Sequence, residues 1–588
     1  MTLKIKRLLP TPDNNALLFP GIHPVLNRVY RNRGVANADA LKQTLDGLQN
    51  FSLLKGIQEA VHLLEQAIRT QQRILIIGDF DADGATSTAV AMRALKKLGA
   101  SRVNYLVPNR FEYGYGLTPE IVECARQYQP DMIITVDNGI SSIRGVAAAR
   151  QLGIRVVVTD HHLAGSELPA ADAIVNPNQP GDVFPSKAIA GVGVIFYVML
   201  ALRAQLRDTG WFAQQGSSAP NLAELLDLVA LGTVADVVPL DHNNRILVAQ
   251  GLARIRAGQC CAGIKALAHI AGRQLNRLGA QDLAFAVGPR LNAAGRLDDM
   301  SVGIECLLSD NDDAALSLAE QLNQLNQERR SIELEMKLQA METLQQIAEA
   351  DLPTGVCVYE AQWHQGVIGI LASRIKEKFH RPVIAFADAG IDAASGEAVI
   401  KGSARSIPGV HIRDVLDAIA TRHPGLLSKF GGHAMAAGLS LQKKQFAEFA
   451  TAFDDEVCRH VDSDELQHII HSDGELTAED LDLPLAQLLE AAGPWGQHFA
   501  EPQFDGCFEL VQRRIVGERH LKLQLKVPGS ARVIDAIAFN TVDDVWPENA
   551  RWVEIAYKLA ANEFRGVQSA QLIVNYIEPV SIARPVTS

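Results

Sequence analysis

Eight side chains suited to holding a divalent cation lie at four places in this 588-residue chain. Asp79, Asp81 and Asp83 alternate through Gly78-Asp-Phe-Asp-Ala-Asp-Gly84, and Asp137 closes the run Ile133-Ile-Thr-Val-Asp. Asp160, His161 and His162 close Val156-Val-Val-Thr-Asp-His-His, and Asp236 lies in Leu231-Gly-Thr-Val-Ala-Asp-Val. Three carboxylates on one short segment repel one another unless a cation neutralises them, so the cluster demands a partner charge. Carboxylates with a few imidazoles and no thiolate favour Mn²⁺ or Mg²⁺ over a structural zinc. Five or more oxygen ligands suffice for two ions, and two ions about 3.5–4 Å apart can activate water and stabilise both oxygens of an in-line displacement at phosphorus. No Ser or Cys stands in a recognisable triad, and this chemistry requires none. Taken alone, residues 79–84 also read as a solvated Asp/Gly turn.

The flanking sequence says how these residues are positioned. Ile74-Leu-Ile-Ile-Gly78 is a continuous apolar run of the kind buried in parallel sheets. Ala85 to Leu98 has helical apolar spacing and stops at Gly99, which puts the three aspartates in a strand-to-helix loop. Further short apolar runs at Met132–Val136, Val156–Thr159 and Ala173–Val175 alternate with helical stretches, implying βαβ units around a parallel sheet. Three strands then deliver acids and histidines to one sheet edge, where open α/β folds bind ligands. Asp236, after the helical Leu222–Leu231, is expected to reach that edge from a loop.

The Asp160-His161-His162 triplet, with Gly78-Asp-Phe-Asp-Ala-Asp-Gly, Thr135-Val-Asp-Asn-Gly and Gly232-Thr-Val-Ala-Asp-Val, resembles the DHH phosphoesterase superfamily, and among its members the bacterial RecJ single-strand-specific exonucleases. Gly288-Pro-Arg-Leu-Asn-Ala-Ala-Gly-Arg-Leu297 is similar to a further RecJ motif. Gly402-Ser-Ala-Arg-Ser406 with Gly431-Gly-His433 is similar to the associated DHHA1 domain. The resemblance implies metal-dependent 5′-to-3′ hydrolysis of single-stranded DNA to nucleoside 5′-monophosphates in DNA repair and recombination. It implies that Asp79, Asp81, Asp83, Asp137, His161 and Asp236 hold Mn²⁺ or Mg²⁺, two ions in all, and that Asp81, Asp83, Asp137, His161, His162 and Asp236 form the catalytic set. His162 and Asp160 are either ligands or the groups that orient His161 and the leaving group. Substrate contacts fall to Arg290, Arg296, Ser403, Arg405, Gly432 and His433, since guanidinium forks suit phosphate oxygens and a Gly-Gly turn lets backbone N–H groups approach an anion. Arg110, in Pro108-Asn-Arg-Phe-Glu-Tyr-Gly-Tyr-Gly116, is either a further holder of the 5′ end or a surface loop arginine. The alternatives are a DHH–DHHA1 phosphodiesterase for short oligonucleotides or cyclic dinucleotides, and a non-catalytic replication scaffold of the same fold.

The expected fold class is α/β, with an N-terminal extension (1–70) containing an amphipathic helix near Lys55–Thr70, a parallel-sheet DHH domain (71–308), a connector helix (309–352), an α/β DHHA1 domain (353–460) and an OB-like β-barrel (461–588). Asp310-Asn-Asp-Asp is a helix-start signal, and the Leu/Ala/Gln/Glu-rich run behind it lacks Gly and Pro until Pro353. Residues 461–483 read as an acidic linker. After them come short alternating strands at Cys507–Val511, Leu521–Lys526, Val533–Phe539 and Leu572–Tyr576. Phe539 and Phe564 stand beside Lys522, Lys526, Arg532 and Arg565, either as core residues or as stacking platforms in a single-strand groove.

Composition sets outer bounds. With 47% hydrophobic and 21% charged residues this is an ordinary globular chain of several domains. No apolar run is long enough to span a bilayer, and the basic N-terminus lacks the features of a secretory signal, so a cytoplasmic location is expected. Seven cysteines without zinc spacing read as reduced thiols. A net charge of −12 argues against indiscriminate nucleic-acid binding but leaves room for a local basic groove. Single-stranded DNA is the expected partner, with a single-strand-binding protein and a helicase beside it, and no membrane.

Overall fold

A computed structural model describes residues 4–8, 19, 21–108, 116–345, 352–392, 396–461, 469–517, 520–539, 541 and 550–580. The chain divides into two compact units, one of residues 324–470 with 1–4 and one of residues 5–323 with 471–588.

The larger unit is built on a five-stranded parallel sheet of β1 (Ile74–Ile77), β2 (Val103–Leu106), β3 (Met132–Val136), β4 (Arg155–Thr159) and β5 (Ala173–Val175), in the order β2-β1-β3-β4-β5. β1 and β3 are buried at every position, which is why they read as unbroken apolar runs. β2 escaped sequence recognition because it is a half-exposed edge strand of only four residues. The order reverses between β1 and β3, creating a crevice at their carboxyl ends. α1 (Ala82–Leu98) follows β1 directly, and α2 (Gly191–Asp208) and α3 (Leu226–Ala235) pack beside it. α4 (Gly288–Leu297) lies against the β1–α1 turn, where a Cβ on Gly295 would strike the carbonyl of Phe80. The long helix α5 (Asp312–Gln345) runs unbroken for 34 residues, so the charged run is one helix, and it contains the boundary between the units.

The same unit contains the C-terminal barrel: β11 (Phe504–Val516), β12 (His520–Lys526), β13 (Val533–Ala538), β14 (Trp552–Phe564) and β15 (Val567–Val580), closed in the order β11-β12-β13-β15-β14. Asp473 and the stretch from Ala492 to Phe499 ahead of it pack on the same unit. Tyr30 donates to the carbonyl of Ala492, Arg33 pairs with Asp473, the Leu240 amide donates to Gln497, and the Arg245 guanidinium lies 4.2 Å from the centre of the Phe499 ring. The barrel is thereby fixed to the core that carries the parallel sheet.

The smaller unit holds a mixed sheet of β6 (Val356–Tyr359), β7 (Val383–Ile391), β8 (Ala398–Arg405), β9 (Lys429–Gly432) and β10 (Ala436–Gln442), ordered β9-β10-β8-β7-β6, with α6 (Ile368–Phe379) against β7 and β8. Phe386, Ile400, Ala404, Ala437 and Leu439 face its core, so the alternate residues Lys401, Ser403 and Arg405 lie on the opposite face.

Candidate active site

The carboxyl ends of β1, β3 and β4 bring the predicted acids together. Asp79 follows β1 by two residues, Asp137 immediately follows β3, and Asp160 immediately follows β4. Asp79, Asp81 and Asp137 offer carboxylate oxygens within 4.8 Å of one another, and carboxylate oxygens and ring nitrogens lie equally close in the sets Asp83, His161, Asp236 and Asp137, His161, His162. His161 Nε2 lies 3.1 Å from Asp137 Oδ1, 3.5 Å from Asp236 Oδ2 and 3.9 Å from Asp83 Oδ2.

Two placements differ from the sequence reading. The helix starts at Ala82 rather than Ala85, because Asp81 caps it by accepting from the amides of Asp83 and Gly84 at 3.0 Å each. Asp83 therefore stands in the first helical turn and not in the loop. Asp236 comes from the C-cap of α3 rather than from a loop, because that helix runs on to Ala235.

Backbone amides hold Asp79, Asp81, Asp83 and Asp160. Asp83 accepts from the amides of Gly191 and Val192 at 2.7 and 2.9 Å, the N-terminus of α2, which is a favourable place for a carboxylate. A Cβ on Gly191 would come within 2.6 Å of Asp137 Oδ1, so that helix reaches the acids only because it begins with glycine. Asp137 itself adopts φ 62°, a left-handed conformation that Asp tolerates. Asn138 donates to the carbonyls of Ile77 and Val136, tying the ends of β1 and β3 together, and Asn292 of α4 accepts from the Ala82 amide. Gly191, Asn138 and Asn292 are positioning residues that motif reading did not single out. Asn138 and Asn292 lay inside quoted motifs, whereas Gly191 carried no signal.

Between the two roles open for Asp160, the structure favours orientation. Its carboxylate is buried and accepts from the amides of Ile140, His161 and His162 and from His162 Nδ1 at 2.8 Å. These bonds leave it little capacity for a cation, but they fix both histidines.

The electrostatics fit a missing positive charge. Burial, reinforced by neighbouring acids, pushes Asp83 and Asp236 up to about 7 and Asp137 well above the carboxylate range. Burial, then the neighbouring His162, holds His161 below the usual imidazole range, against the pull of Asp83, Asp160 and Asp81. His162, though also buried, is raised to about 9 by its bond to Asp160. His161 Nε2 and Asp236 Oδ2 are buried with no hydrogen-bond partner in the structure. Converging acceptor atoms without donors are what a divalent cation would satisfy, and the oxygen-rich set suits Mn²⁺ or Mg²⁺.

The remaining candidates fall in other places. Arg110 lies outside the described residues. Arg290 spends part of its fork on structure, donating to the Ala286 carbonyl and to Asn323, while Arg296 is half-buried on the last turn of α4. In the smaller unit, Arg405 opposes Ala436, whose carbonyl accepts from the His433 amide, and Ser403 opposes Gly438, which opposes Gly431. Ser403, Arg405 and His433 thus share one sheet face. Arg405 Nη1 donates to Ser403 Oγ and the Ala404 carbonyl, and no carboxylate pairs with it among the described residues. Gly431 and Gly432 form the end of β9 rather than a turn, and a Cβ on Gly432 would meet Ala437 at 2.4 Å. Phe539 and Phe564 are 50% and 66% exposed and so are not barrel core.

Residues 73–233 match the DHH family, N-terminal domain, residues 353–458 the DHHA1 domain, and residues 472–576 the RecJ OB domain. The chain is 54% identical over 579 residues to the single-stranded-DNA-specific exonuclease RecJ of Dickeya dadantii, covering 98% of this chain and 100% of that one. It is also 54% identical over 571 residues to the protein of the same name from Escherichia coli, covering 97% and 98%. The crystal structure of RecJ in complex with Mn²⁺ from Thermus thermophilus superposes with a TM-score of 0.77 at 31% identity, covering 96% of this chain and 77% of that one. The Mg²⁺ complex from the same organism gives 0.73 at 30% identity, covering 96% and 76%.

Proposed function

As the chain belongs to the RecJ family of single-stranded-DNA-specific exonucleases, hydrolases that act on DNA with a divalent cation, we propose that it degrades single-stranded DNA from the 5′ end to nucleoside 5′-monophosphates. The observation that carries this reading is the convergence of Asp83, Asp137 and Asp236 on His161 Nε2, which is buried with no hydrogen-bond partner. Asp79, Asp81, Asp83, Asp137, His161 and Asp236 hold two ions. Bound there, Mn²⁺ or Mg²⁺ supplies Lewis acidity toward the phosphoryl group and lowers the pKa of water.

The chain's own residues do the rest. The α2 amides and the Asp81 cap keep the acids in place before any ligand arrives, so little reorganisation accompanies the reaction. Asp160 holds His162 through Nδ1, leaving Nε2 to donate to a phosphoryl or leaving oxygen. Ser403, Arg405 and His433 form an anion subsite for a strand phosphate, for which an arginine with no carboxylate partner among the described residues is well suited. The exposed Phe539 and Phe564 of the barrel offer faces on which unpaired bases stack. No helix among the described residues is long and apolar enough to cross a membrane. We place the activity in cytoplasmic DNA repair and recombination, with a helicase and a single-strand-binding protein as partners that expose and present the strand.

Single- and double-stranded DNA and RNA labelled at either end test the reading. Ion-dependent release of labelled mononucleotide from the 5′ end of single-stranded DNA is the expected result. Initial release of the 3′ label, or hydrolysis indifferent to chelator, would overturn it.

A further inference from the structure

Immediately beyond Asp236 the larger unit contains a cavity of about 390 Å³ that no step above uses. Its walls come from the end of α3 (Val234, Val237), from Ala284 and Phe285, from the loop carrying Trp495, and from Lys558 in the middle of β14. Two of these residues are unusual. Phe285 is 75% exposed although it is a large aromatic, and it stands on the π-helical turn Leu283–Val287, a distortion often found at functional sites. Val237 adopts φ 62° and is 62% exposed; a β-branched residue in the left-handed region is strained, and such strain tends to persist where function requires it. The π-turn therefore displays an aromatic ring, and the strained valine an apolar wall, on the same cavity.

Position and charge indicate the occupant. The cavity begins at the residue after a proposed metal ligand and ends on the barrel strand whose far end carries the exposed Phe564. It thus has one wall beside the acids and another on the barrel. Lys558 is already paired with Glu501, so the cavity offers no free cation and suits a flat, uncharged group rather than a phosphate. Its volume is in the range of ordinary small-ligand pockets. We propose that this cavity takes one unpaired base of the substrate strand, with Phe285 stacking on it, between the scissile phosphate and the barrel. A base that is paired in a duplex cannot enter, so the subsite contributes to selection of single strands. This inference rests on the nuclease reading above and adds a positioning residue to it.

The test uses the full Mn²⁺-loaded chain and phosphorothioate-linked single strands carrying 2-aminopurine at successive positions from the 5′ end. Quenching is expected at one or two positions near that end in the parent chain, lost in Phe285→Ala and retained in Phe285→Trp. Affinity for strands long enough to reach the cavity should fall by roughly 5- to 150-fold in Phe285→Ala, the equivalent of one stacked base. Mn²⁺ binding and melting temperature should stay unchanged, since the Phe285 side chain is largely exposed. Equal quenching and affinity in Phe285→Ala and the parent would overturn the base subsite. Loss of Mn²⁺ binding in that variant would also overturn it, in favour of a structural role. Failure of the parent chain itself to bind or cut single strands would instead sink the nuclease reading.

Discussion

The acid cluster at the carboxyl ends of β1, β3 and β4 and the cationic face of β8 are built on opposite principles. The first gathers like charges in a buried place and holds them with backbone amides, so it is electrostatically unsatisfied until a cation arrives. The second places a guanidinium, a hydroxyl and an imidazole on an antiparallel sheet face, where no carboxylate pairs with Arg405 among the described residues, so the proposed anion would supply its counter-charge. A reaction at a phosphodiester requires both kinds of incompleteness. The difference teaches that the acid site should respond to metal and pH in its stability, whereas the cationic face should respond mainly in substrate affinity.

Asp137→Asn gives the largest expected effect. It keeps the shape and tolerates the left-handed backbone, yet removes a ligand charge, so ion-dependent hydrolysis should drop to background while the metal-free chain melts at an equal or higher temperature. Near-normal turnover at saturating Mn²⁺ would break the comparison at its first term. Asp81→Ala is a poorer probe, because losing the α1 cap costs about 1 kcal/mol independently of any metal.

The next effect is on stability against pH. Asp83 and Asp236 titrate near 7 in the folded chain but near their ordinary 3.8 when unfolded, so the folded state binds more protons between about pH 4 and 7. Their contribution to metal-free stability is therefore lost as pH rises through that window. His162, raised to about 9, acts in the same direction between about 6.5 and 9. The increase in melting temperature caused by Mn²⁺ should accordingly grow by several degrees as pH rises through 7, and a Mn²⁺ shift independent of pH would contradict the assignment.

Arg405→Ala should weaken binding of single strands by about 10- to 100-fold, the worth of hydrogen bonds to a charged group, and flatten the salt dependence of affinity. Melting temperature and Mn²⁺ binding should barely change. Arg405→Lys should restore only part of the affinity, since an ammonium cannot make a bidentate contact. An unaltered salt slope in the alanine variant would remove the anion subsite from the comparison.

The smallest effect is expected at the barrel, where Phe539→Ala or Phe564→Ala should each cost about 1 kcal/mol of affinity for long strands and nothing on very short ones. These single changes sharpen the comparison better than truncation near Leu483 does. The removed segment would take with it the Arg245–Phe499 contact that braces the core.

The sequence by itself determined most of the scaffold and which acids and histidines meet at its edge. Unbroken apolar runs ending in Asp or His identify buried parallel strands and their active edge, because a strand covered on both faces has no polar period to confuse the reading. The run from Asp312 onward identifies its helix by the absence of breakers. The tertiary structure decided what depends on partners distant in sequence. Whether Asp83 sits in a loop or a helix depends on a cap, and what steadies it depends on amides more than a hundred residues away. The four donors that converge on Asp160 come from two segments, which no local motif announces. Ser403, Arg405 and His433 share a face, and Gly432 does not, because strand register sends alternate residues to opposite sides. The exposure of Phe285, Phe539 and Phe564 is likewise invisible in sequence, since an aromatic has the same letter in a core and on a surface and only the packing around it separates the two.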